Sequence, residues 1–310
     1  MSQIAFLFPG QGSQAAGMGK ALAEKYPVAK AIFEEADDAL DFAISKLCFE
    51  GPDDQLRLTQ NTQPALLTVS VAACAVLADL GYHPTVVAGH SLGEYSALVA
   101  AGSLEFADAV RLVRNRGKYM QEAVPAGVGA MAAILNPPLD QLDSILTAAA
   151  QGEVVSAANF NSPGQMVIAG HAGAVARACE ALKAAGAKRT VPLPVSAPFH
   201  CALMQPAQQR LLADLEATHF ADLRVPLINN IAAIEVNHGV DARQGLYLQV
   251  PGAVRWTDSM RALAARGITK AVEVGVGAVL CGLMRQIEPN VKMAKFGDPA
   301  DLEKLHELLA

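Results

Sequence analysis

A serine stands in the middle of the stretch GHSLG at residues 89–93, in a setting that suits a nucleophile. The apolar run TVVA precedes it and the helix-like run EYSALVAAG follows it. Gly-x-Ser-x-Gly between a strand and a helix is the nucleophile-elbow pattern. The glycines allow a tight turn that exposes the Ser91 hydroxyl, and the new helix points backbone N–H groups at a developing oxyanion. The alternative is an ordinary glycine-rich turn in which Ser91 only caps the following helix.

A serine nucleophile needs a base, and His200 is the histidine whose surroundings suit that task best. It lies in VSAPFHCALM, between a predicted strand end and a predicted helix start, with apolar neighbours. His90 adjoins Ser91 inside the turn, so we expect its ring to point elsewhere. The alternative for His200 is a core histidine with satisfied hydrogen bonds.

No carboxylate completes a hydrolase triad in the sequence. In an elbow enzyme the acid lies between Ser91 and His200 in chain order. Asp108, Asp140 and Asp143 fall in that interval, but in predicted helices that do not place them convincingly. We therefore expect that a group other than a carboxylate orients the histidine.

The glycine-rich loop GQGSQA at residues 10–15 matches the G-x-G-x-x-A pattern of dinucleotide-binding turns. Such a turn is followed by a second strand and, about 20 positions on, by an acidic residue, whereas the region after this loop looks helical. We therefore reject a dinucleotide site. A loop that approaches the serine and supplies a second oxyanion N–H donor is the simpler interpretation.

Arg116 lies on the apolar stripe of a predicted helix over residues 104–122, whereas Arg111 and Arg114 fall on its solvated side. The apolar members of the stripe recur at helical spacing: Ala109, Leu112, Val113 and Met120. An inward arginine needs a partner, because an unpaired buried charge is costly. No acidic partner is evident, so we favour a substrate carboxylate held by the guanidinium fork.

The composition predicts a chain that buries a large core. Of its 310 residues 52% are hydrophobic and only 17% are charged, which suits a parallel sheet covered by helices. The net charge of −6 gives no sign of nucleic-acid binding, for which a basic surplus is typical. The five cysteines are scattered and lack CxxC spacing. They indicate reduced thiols in a cytosolic protein rather than a disulfide framework or a zinc site.

The apolar segments do not indicate a secretion signal or a membrane span. The N-terminal stretch MSQIAFLFPGQGSQ has no basic region and only a short apolar run. The longest apolar segment, PALLTVSVAACAVLADLGY, contains Thr68, Ser70 and Asp79 and is too short and too polar to span a bilayer. It predicts a buried helix, and we expect no membrane contact.

The predicted helices and strands become shorter and change their order over residues 129–193. There the predicted elements follow the order βαββαβ, which is the ferredoxin-like pattern. Before and after this region the chain has longer helices and buried strands such as IAFLF, TVVA, PLINNI and ITKAVEVG. We predict a large α/β domain interrupted by a small α+β insert, with Ser91 and the segment after Val195 meeting in the cleft between them.

The chain as a whole resembles the malonyl-CoA:acyl-carrier-protein transacylases of bacterial fatty acid synthesis, within the acyltransferase family of fatty acid and polyketide synthesis. The segments that carry the resemblance follow in order: FPGQGSQ at 8–14, TQNTQPAL at 59–66, GHSLGEYSALVAAG at 89–102, RNRGKYMQEA at 114–123, NFNSPGQMVIAG at 159–170 and SAPFHCALM at 196–204. The implied fold is α/β, with a hydrolase-like core (1–126 and 196–310) whose mostly parallel sheet is flanked by helices. A small ferredoxin-like α+β subdomain (127–195) interrupts it.

The resemblance implies roles for the residues of a reaction centre. Ser91 would form a malonyl ester, and His200 would act first as general base and then as general acid. The backbone N–H groups of Gln11 and Leu92 would form the oxyanion hole. Arg116 would pair with the free carboxylate of the malonyl group.

The resemblance also implies supporting roles around that centre. The backbone carbonyl of Gln249, in YLQVPGAVRW, would orient the histidine, which would account for the missing acid. Met120 and Phe199 would fit malonyl and crowd an α-methyl branch, and Gln63 would line the pocket.

The implied reaction is a ping-pong transfer of malonyl from malonyl-CoA to the phosphopantetheine thiol of acyl carrier protein, supplying fatty acid synthesis. It requires no metal and no organic cofactor. The carrier is acidic in this family, so a local basic patch is expected, with Lys188 and Arg189 as candidates. The expected protein is a cytoplasmic monomer with no nucleic-acid or membrane partner.

Other functions remain open for this sequence. One is a malonyl transferase that serves a polyketide synthase or a malonate decarboxylase. A serine esterase or thioesterase shares the elbow, although the inward Arg116 and the missing acid argue against it. A non-catalytic carrier-binding protein that kept the fold is disfavoured by the presence of Ser91, His200 and Gln11.

Overall fold

The computed structural model describes residues 3–195 and 197–309, and within them the strands form a larger and a smaller sheet. The strands of the larger sheet are β1 (Ile4–Phe8), β2 (Val86–Gly89), β7 (Leu227–Ile228), β8 (Glu235–Val236), β9 (Lys270–Val274) and β10 (Lys292–Phe296). Those of the smaller sheet are β3 (Gly129–Leu135), β4 (Val155–Ser162), β5 (Gln165–His171) and β6 (Arg189–Pro192).

Helices connect and cover the two sheets. Those before the smaller sheet are α1 (Lys20–Lys25), α2 (Pro27–Leu40), α3 (Ile44–Glu50), α4 (Asp53–Leu56), α5 (Thr59–Asp79), α6 (Gly93–Ala100) and α7 (Phe106–Glu122). Helices α8 (Leu142–Ala150) and α9 (Ala172–Ala184) belong to the smaller sheet. The remainder are α10 (Gln205–Ala217), α11 (Gly239–Gln249), α12 (Trp256–Ala265), α13 (Val279–Ile287) and α14 (Leu302–Leu309), with short 3-10 turns at Ala202–Met204 and Pro299–Asp301.

The larger sheet has the strand order β10-β9-β1-β2-β7-β8 and is parallel except for β8. Alternate residues of β1 enter different cores. Phe6 and Phe8 pack into the core shared with α5 and α7, whereas Ala5 and Leu7 pack into the core that contains Trp256. A parallel sheet covered on both faces explains why its strands read as continuous apolar runs. The predicted α/β class is confirmed.

The smaller sheet has the strand order β4-β5-β3-β6, with antiparallel pairing throughout. Its elements follow one another along the chain as β3, α8, β4, β5, α9 and β6, which is the predicted ferredoxin-like order. Ile134 and Ile168 face the core beneath α8 and α9. The division of the chain at residues 127 and 196 stays a prediction, and Ser196 lies outside the described residues.

The topology brings two glycine-rich segments to the same edge of the larger sheet. Strands β1 and β2 are parallel neighbours, with Phe8 opposite Gly89. Both strands end at the carboxyl edge of the sheet. The loop that carries Gln11 and the turn that carries Ser91 must therefore emerge side by side. This edge of the sheet is therefore where the sequence predicts chemistry.

Several predicted boundaries were wrong in detail. The strand in PLINNI is only Leu227–Ile228, so Asn229 and Asn230 leave the ladder. The helix expected to begin near Pro138 begins at Leu142. Strands β8 and β10 were not predicted, because β8 has two residues and β10 interleaves lysines with its apolar positions.

Helix α5 is buried, as predicted, but one argument for that prediction was wrong. The helix has 21 residues and a mean hydropathy of 1.4 in its most apolar window, enough by length and composition to cross a membrane. The rest of the chain buries 83% of that window. Burial by protein, and not insufficient length, is what identifies it as a core helix.

Close packing of α7 on α5 fixes where the apolar stripe of α7 lies. A Cβ on Gly117 would come within 2.6 Å of the Thr59 carbonyl oxygen and 2.8 Å of the Gln60 Cα. These are backbone atoms that cannot rotate away. We predict that Gly117→Ala lowers the free energy of unfolding by about 1–3 kcal/mol, as overpacking does elsewhere, measured by urea denaturation.

Gly282→Ala is the matched control, because Gly282 also lies within a helix and a Cβ there meets nothing within 4 Å. Alanine favours a helix over glycine by about 0.5–1 kcal/mol, so this variant should be neutral or more stable. Equal effects of the two substitutions would show that the contact between α5 and α7 does not require a glycine.

Candidate active site

The turn between β2 and α6 is a strained elbow with Ser91 at its tip. Ser91 has φ +51°, in the left-handed region that non-glycine residues rarely occupy. A Cβ on Gly89 would overlap the backbone of Gly93, and a Cβ on Gly93 would overlap the carbonyl oxygen of Phe8. Both glycines are therefore required for the turn to close against β1. This geometry favours the elbow interpretation over an ordinary turn.

Asn230 fastens the elbow from the neighbouring strand end. Its Oδ1 accepts a hydrogen bond from the Ser91 backbone N–H at 2.7 Å, and its Nδ2 donates to the Gly89 carbonyl at 2.7 Å. Asn230 is fully buried, because it follows β7, which pairs with β2. The strained turn is thus held by a side chain distant in sequence.

His200 contacts the Ser91 hydroxyl, with 2.7 Å between Oγ and Nε2. The other ring nitrogen, Nδ1, lies 3.0 Å from the carbonyl oxygen of Gln249 and 3.1 Å from that of Gly252. Because carbonyl oxygens only accept, Nδ1 carries the proton and Nε2 presents its lone pair to the serine. Backbone carbonyls therefore occupy the place where a triad would have an acid.

The imidazole of His200 is neutral in this site. Burial and the nearby positive charge of Arg116 lower its pKa to about 3. His200 is only 4% exposed. A neutral imidazole is the form that can accept a proton from a serine hydroxyl, so the base is ready at any pH near neutrality.

Arg116 is buried beside the serine, with 1% of its surface exposed. Its Nη2 donates to Ser91 Oγ at 3.1 Å and to the side-chain oxygen of Gln249 at 2.9 Å, and its Nη1 donates to Gln63 at 2.8 Å. Burial lowers its pKa from the ordinary value. These contacts are neutral oxygens, so the guanidinium remains able to bind an anion next to the serine hydroxyl.

Gln249 forms hydrogen bonds to several parts of the site, through both its backbone and its side chain. Its backbone carbonyl contacts His200, and its side-chain oxygen accepts from Arg116. Its side-chain nitrogen donates to the Ser91 carbonyl at 3.2 Å and to Glu94 Oε2 at 3.0 Å. One residue at the end of α11 therefore connects the histidine, the arginine and the elbow.

A cavity of about 210 Å³ opens onto the serine. The candidate residues that line it are Gln11, Gln63, Ser91, Leu92, Arg116, Met120, Phe199 and His200. Met131, Val167, Leu193 and Val195 supply an apolar wall from the smaller sheet and the segment after it. The site therefore lies between the two sheets, as the sequence predicted.

Gln11 and Leu92 are the two candidate backbone donors for an oxyanion. Gln11 follows β1 and Leu92 precedes α6, and both line the cavity. Within the described residues, neither backbone N–H donates to a protein acceptor. Two free N–H groups beside a serine hydroxyl form the arrangement that stabilises an oxyanion.

The family of the chain follows from comparison with known proteins. A family model described as the acyl transferase domain matches residues 5–295. The chain belongs to the acyl transferase family. This confirms the resemblance seen in the sequence motifs.

Relatives of this acyl transferase match over nearly their full length. The malonyl CoA-acyl carrier protein transacylase of Bacillus subtilis strain 168 is 48% identical over 304 residues, covering 98% of this chain and 96% of that protein. The protein of the same name from Escherichia coli K12 is 48% identical over 309 residues, covering 99% and 100%.

Solved structures of similar proteins share the fold. An acyl carrier protein S-malonyltransferase from Vibrio cholerae has a TM-score of 0.96 and 47% identity, covering 98% of this chain and 100% of that chain. A malonyl-transacylase in complex with a type II PKS acyl-carrier protein has a TM-score of 0.96 and 45% identity, covering 99% of each chain.

The structure of this acyl transferase departs from two expectations near the site and confirms a third. The His90 ring lines the cavity, contrary to prediction, with its Nε2 2.9 Å from Asn161 Oδ1. Arg114 is half-buried, stacks over the Phe42 ring at 4.2 Å and donates to Asn61, so it does not lie on a solvated face. Arg111 is exposed, as predicted.

Lys188 and Arg189 lie apart from the cavity, at the start of β6, and both are exposed.

Among the described residues no group of three or more His, Cys, Asp or Glu side chains is placed to hold a metal ion. The five cysteines are free, and burial raises the pKa of Cys201, the one nearest His200 in sequence, to about 11.

Two residues of the site were missed by reasoning from sequence. Asn230 was taken as part of a strand, although two adjacent asparagines in the apolar run PLINNI are a sign of buried hydrogen bonding. Glu94 lies three positions after Ser91 and was not considered as a partner for Arg116. It is 1% exposed and reaches the arginine through Gln249.

Proposed function

We propose that this chain transfers the malonyl group of malonyl-CoA to the phosphopantetheine thiol of acyl carrier protein, by way of a malonyl ester on Ser91. The observation that carries the proposal is the buried guanidinium of Arg116, whose Nη2 lies 3.1 Å from the Ser91 hydroxyl. A cation at that distance selects an acyl group that ends in a carboxylate. The relatives named as malonyl transacylases support the same reaction.

In the first half-reaction the malonyl carboxylate binds Arg116, which places the thioester carbonyl at Ser91. As the serine oxygen bonds to the carbonyl carbon, its proton passes to Nε2 of His200, 2.7 Å away. The resulting imidazolium is stabilised by the carbonyls that accept from Nδ1, those of Gln249 and Gly252. Those carbonyls hold the ring in one tautomer without adding a buried negative charge.

The tetrahedral oxyanion is stabilised by the N–H groups of Gln11 and Leu92. Loss of one such donor costs about 10²–10³ in rate in a well-studied hydrolase. When the intermediate collapses the carbon–sulfur bond breaks, and His200 returns its proton to the departing thiolate of coenzyme A. Ser91 then carries the malonyl ester.

The second half-reaction repeats these steps with a different thiol. His200 removes the proton from the phosphopantetheine thiol, the sulfur attacks the ester carbonyl, and the proton returns to Ser91 as the ester bond breaks. The apolar wall around the ester, which includes Met120 and Phe199, disfavours water as the competing nucleophile. Gln63 holds Arg116 in place and also contacts the Met120 sulfur at 3.8 Å.

A solved structure also supports a related function, malonyl transfer to the carrier protein of a polyketide synthase. A solved malonyl-transacylase of the same fold, 45% identical, is in complex with a type II PKS acyl-carrier protein. A chain with this site is therefore suited to serve a polyketide carrier as well as a fatty acid carrier. Hydrolysis by a thioesterase-like reaction is disfavoured, because carbonyls and not a carboxylate hold His200.

We further propose a cytoplasmic location, where thioester substrates are made and thiols stay reduced, which suits five free cysteines. The monomeric state stays a prediction.

Intact-mass spectrometry tests the proposed function directly. We predict that malonyl-CoA adds one malonyl group to the protein and that acetyl-CoA adds little. Added acyl carrier protein should then remove the adduct and become malonylated. Ser91→Ala should remain folded and acquire no adduct, because the ester has no other attachment point.

A stable adduct on the Ser91→Ala variant would show that the nucleophile is elsewhere. Rapid loss of the wild-type adduct to water, without any carrier protein, would show a hydrolase instead of a transferase.

We propose that Arg189 and Lys188 form part of the surface that docks an acidic carrier. Arg189 pairs with Leu135, on the same face of the smaller sheet as Ala133 and Val167. Those two side chains line a second cavity, which shares Gln11 and His90 with the serine cavity, so Arg189 lies on the face of the sheet that borders the site.

The charge-reversed pair Lys188→Glu with Arg189→Glu should slow malonyl transfer to the carrier at low salt, while acylation by malonyl-CoA stays unchanged. The rates of the two half-reactions provide the measurement. The control is Lys46→Glu with Lys304→Glu, which reverses two exposed charges on α3 and α14. Equal slowing by both pairs, or equal loss of both half-reactions, would exclude a docking surface here.

A further inference from the structure

Glu94 is a buried carboxylate that touches no cation among the described residues. It is 1% exposed, and its Oε2 accepts from the Asn230 backbone N–H at 2.8 Å and from Gln249 Nε2 at 3.0 Å. Its other oxygen, Oε1, is buried and has no hydrogen-bond partner among the described residues. A bare buried carboxylate oxygen is costly, so this group invites an explanation beyond packing.

The amide of Gln249 joins Glu94 to Arg116. The amide oxygen accepts from Arg116 at 2.9 Å, and the amide nitrogen donates to Glu94 at 3.0 Å. Opposite charges therefore lie on the two sides of one amide, in a region closed to water. Glu94 is close enough to balance the charge of Arg116 but does not occupy the guanidinium edge that faces the serine.

The other titratable groups around Glu94 are neutral near pH 7. Burial raises the pKa of Tyr95, its neighbour on α6, to about 12. Burial and Arg116 lower the pKa of His200, and burial lowers the pKa of His90 in the elbow. Within the described part of the site, Arg116 on α7 is therefore the one cation that faces this carboxylate.

We propose that Glu94 is the counter-ion of Arg116 in the free enzyme and that it takes up a proton when a malonyl carboxylate binds the guanidinium. This inference rests on the proposed function, because it requires an acyl group that carries a carboxylate. Two carboxylates beside one buried guanidinium leave one negative charge unbalanced, and like charges at close range cannot both stay ionised cheaply.

Glu94 is the carboxylate of the two that should accept the proton. The malonyl carboxylate contacts Arg116 directly, which favours its charged form, whereas Glu94 acts through an amide. Oε1 of Glu94 accepts no hydrogen bond among the described residues, so it is the oxygen that can take up the proton. Burial already raises the pKa of Glu94 to about 7, so a modest further rise upon binding protonates it at neutral pH.

The proton that Glu94 takes up comes from solvent, and the overall reaction is balanced in atoms and charge. Malonyl-CoA, the ionised enzyme and one proton give the malonyl-enzyme with neutral Glu94 and free coenzyme A thiol. Because the acylated form binds the extra proton, acylation is favoured at low pH. It weakens as pH rises through and above the pKa of Glu94 in the free enzyme.

Glu94→Gln separates charge from hydrogen bonding. The amide oxygen of the new side chain can replace Oε2 and keep both hydrogen bonds, while its NH2 occupies the place of Oε1. The variant therefore resembles the protonated state and has no proton to gain. Glu122→Gln is the control, because Glu122 lies at the end of α7 and forms an exposed ion pair with Arg210.

The experiment measures protons and acylation together. Wild type, Glu94→Gln and Glu122→Gln are mixed with malonyl-CoA at pH 8 in weak buffer with a pH indicator, and intact mass gives the acylated fraction. We expect wild type and Glu122→Gln to take up more protons per malonyl-enzyme than Glu94→Gln does, by about half a proton or more. Subtraction cancels protons released by coenzyme A, which are the same for all three.

Equal uptake by wild type and Glu94→Gln would overturn the proposal, because the proton would then reside elsewhere, for example on the malonyl group. No excess uptake in wild type would overturn it as well. Absence of any malonyl-enzyme in wild type would instead defeat the proposed function, so the two failures are distinguishable.

If Glu94→Gln does not fold, the pH dependence of acylation in the wild-type protein still tests the proposal. The equilibrium constant for acylation should fall by up to about fivefold from pH 7 to pH 8. A constant value over that interval would overturn the proposal.

Discussion

A guanidinium that is buried and still available to a substrate is the constraint on which the rest of this site depends. Removing a charge from water is costly unless hydrogen bonds replace the lost hydration, and an ion pair in direct contact would occupy the edge that must bind the substrate. The two terminal nitrogens of Arg116 donate to neutral oxygens of Gln63, Gln249 and Ser91, whereas its Nε has no hydrogen-bond partner among the described residues. The close packing of α7 on α5 brings Arg116 and Gln63 together.

The same requirement explains the histidine. A carboxylate behind His200 would add a negative charge close to Arg116 and compete for it. Carbonyl oxygens of Gln249 and Gly252 orient the ring without that charge. Because Gln249 also holds Arg116 by its side chain, a shift of α11 would disturb the base and the anion site together. Orientation of the nucleophile's base and selection of the acyl group are thus linked through one residue.

The parts of the site that follow from local pattern could be predicted from the sequence. The elbow was recognisable because two glycines flank Ser91 between a strand and a helix, and Arg116 because helical periodicity places it among apolar side chains. The structure brings both into one cavity with His200. The orientation of His200 by Gln249 was available only through resemblance, since no local pattern marks a backbone carbonyl. The roles assigned to these residues stay predictions.

Contacts between distant segments could not be predicted. Asn230 holds the elbow across 139 positions of sequence, and Glu94 reaches Arg116 only through a third residue. Strands β7 and β8 have two residues each, too few to show an alternating pattern. The His90 ring enters the cavity because Asn161, from the smaller sheet, receives it there. The contacts of Asn230, Glu94 and His90 all join segments that are far apart in the sequence, which is why local pattern did not show them.

The central claim is that Arg116 selects the acyl group by binding its carboxylate. It is tested most directly by the acylation rates of Arg116→Ala with malonyl-CoA and with acetyl-CoA, followed by quenched intact-mass analysis on protein shown to be folded. We expect the malonyl rate to fall by about 100-fold or more while acetyl transfer persists or rises, so that the preference is lost. An unchanged malonyl rate with acetyl still excluded would contradict it.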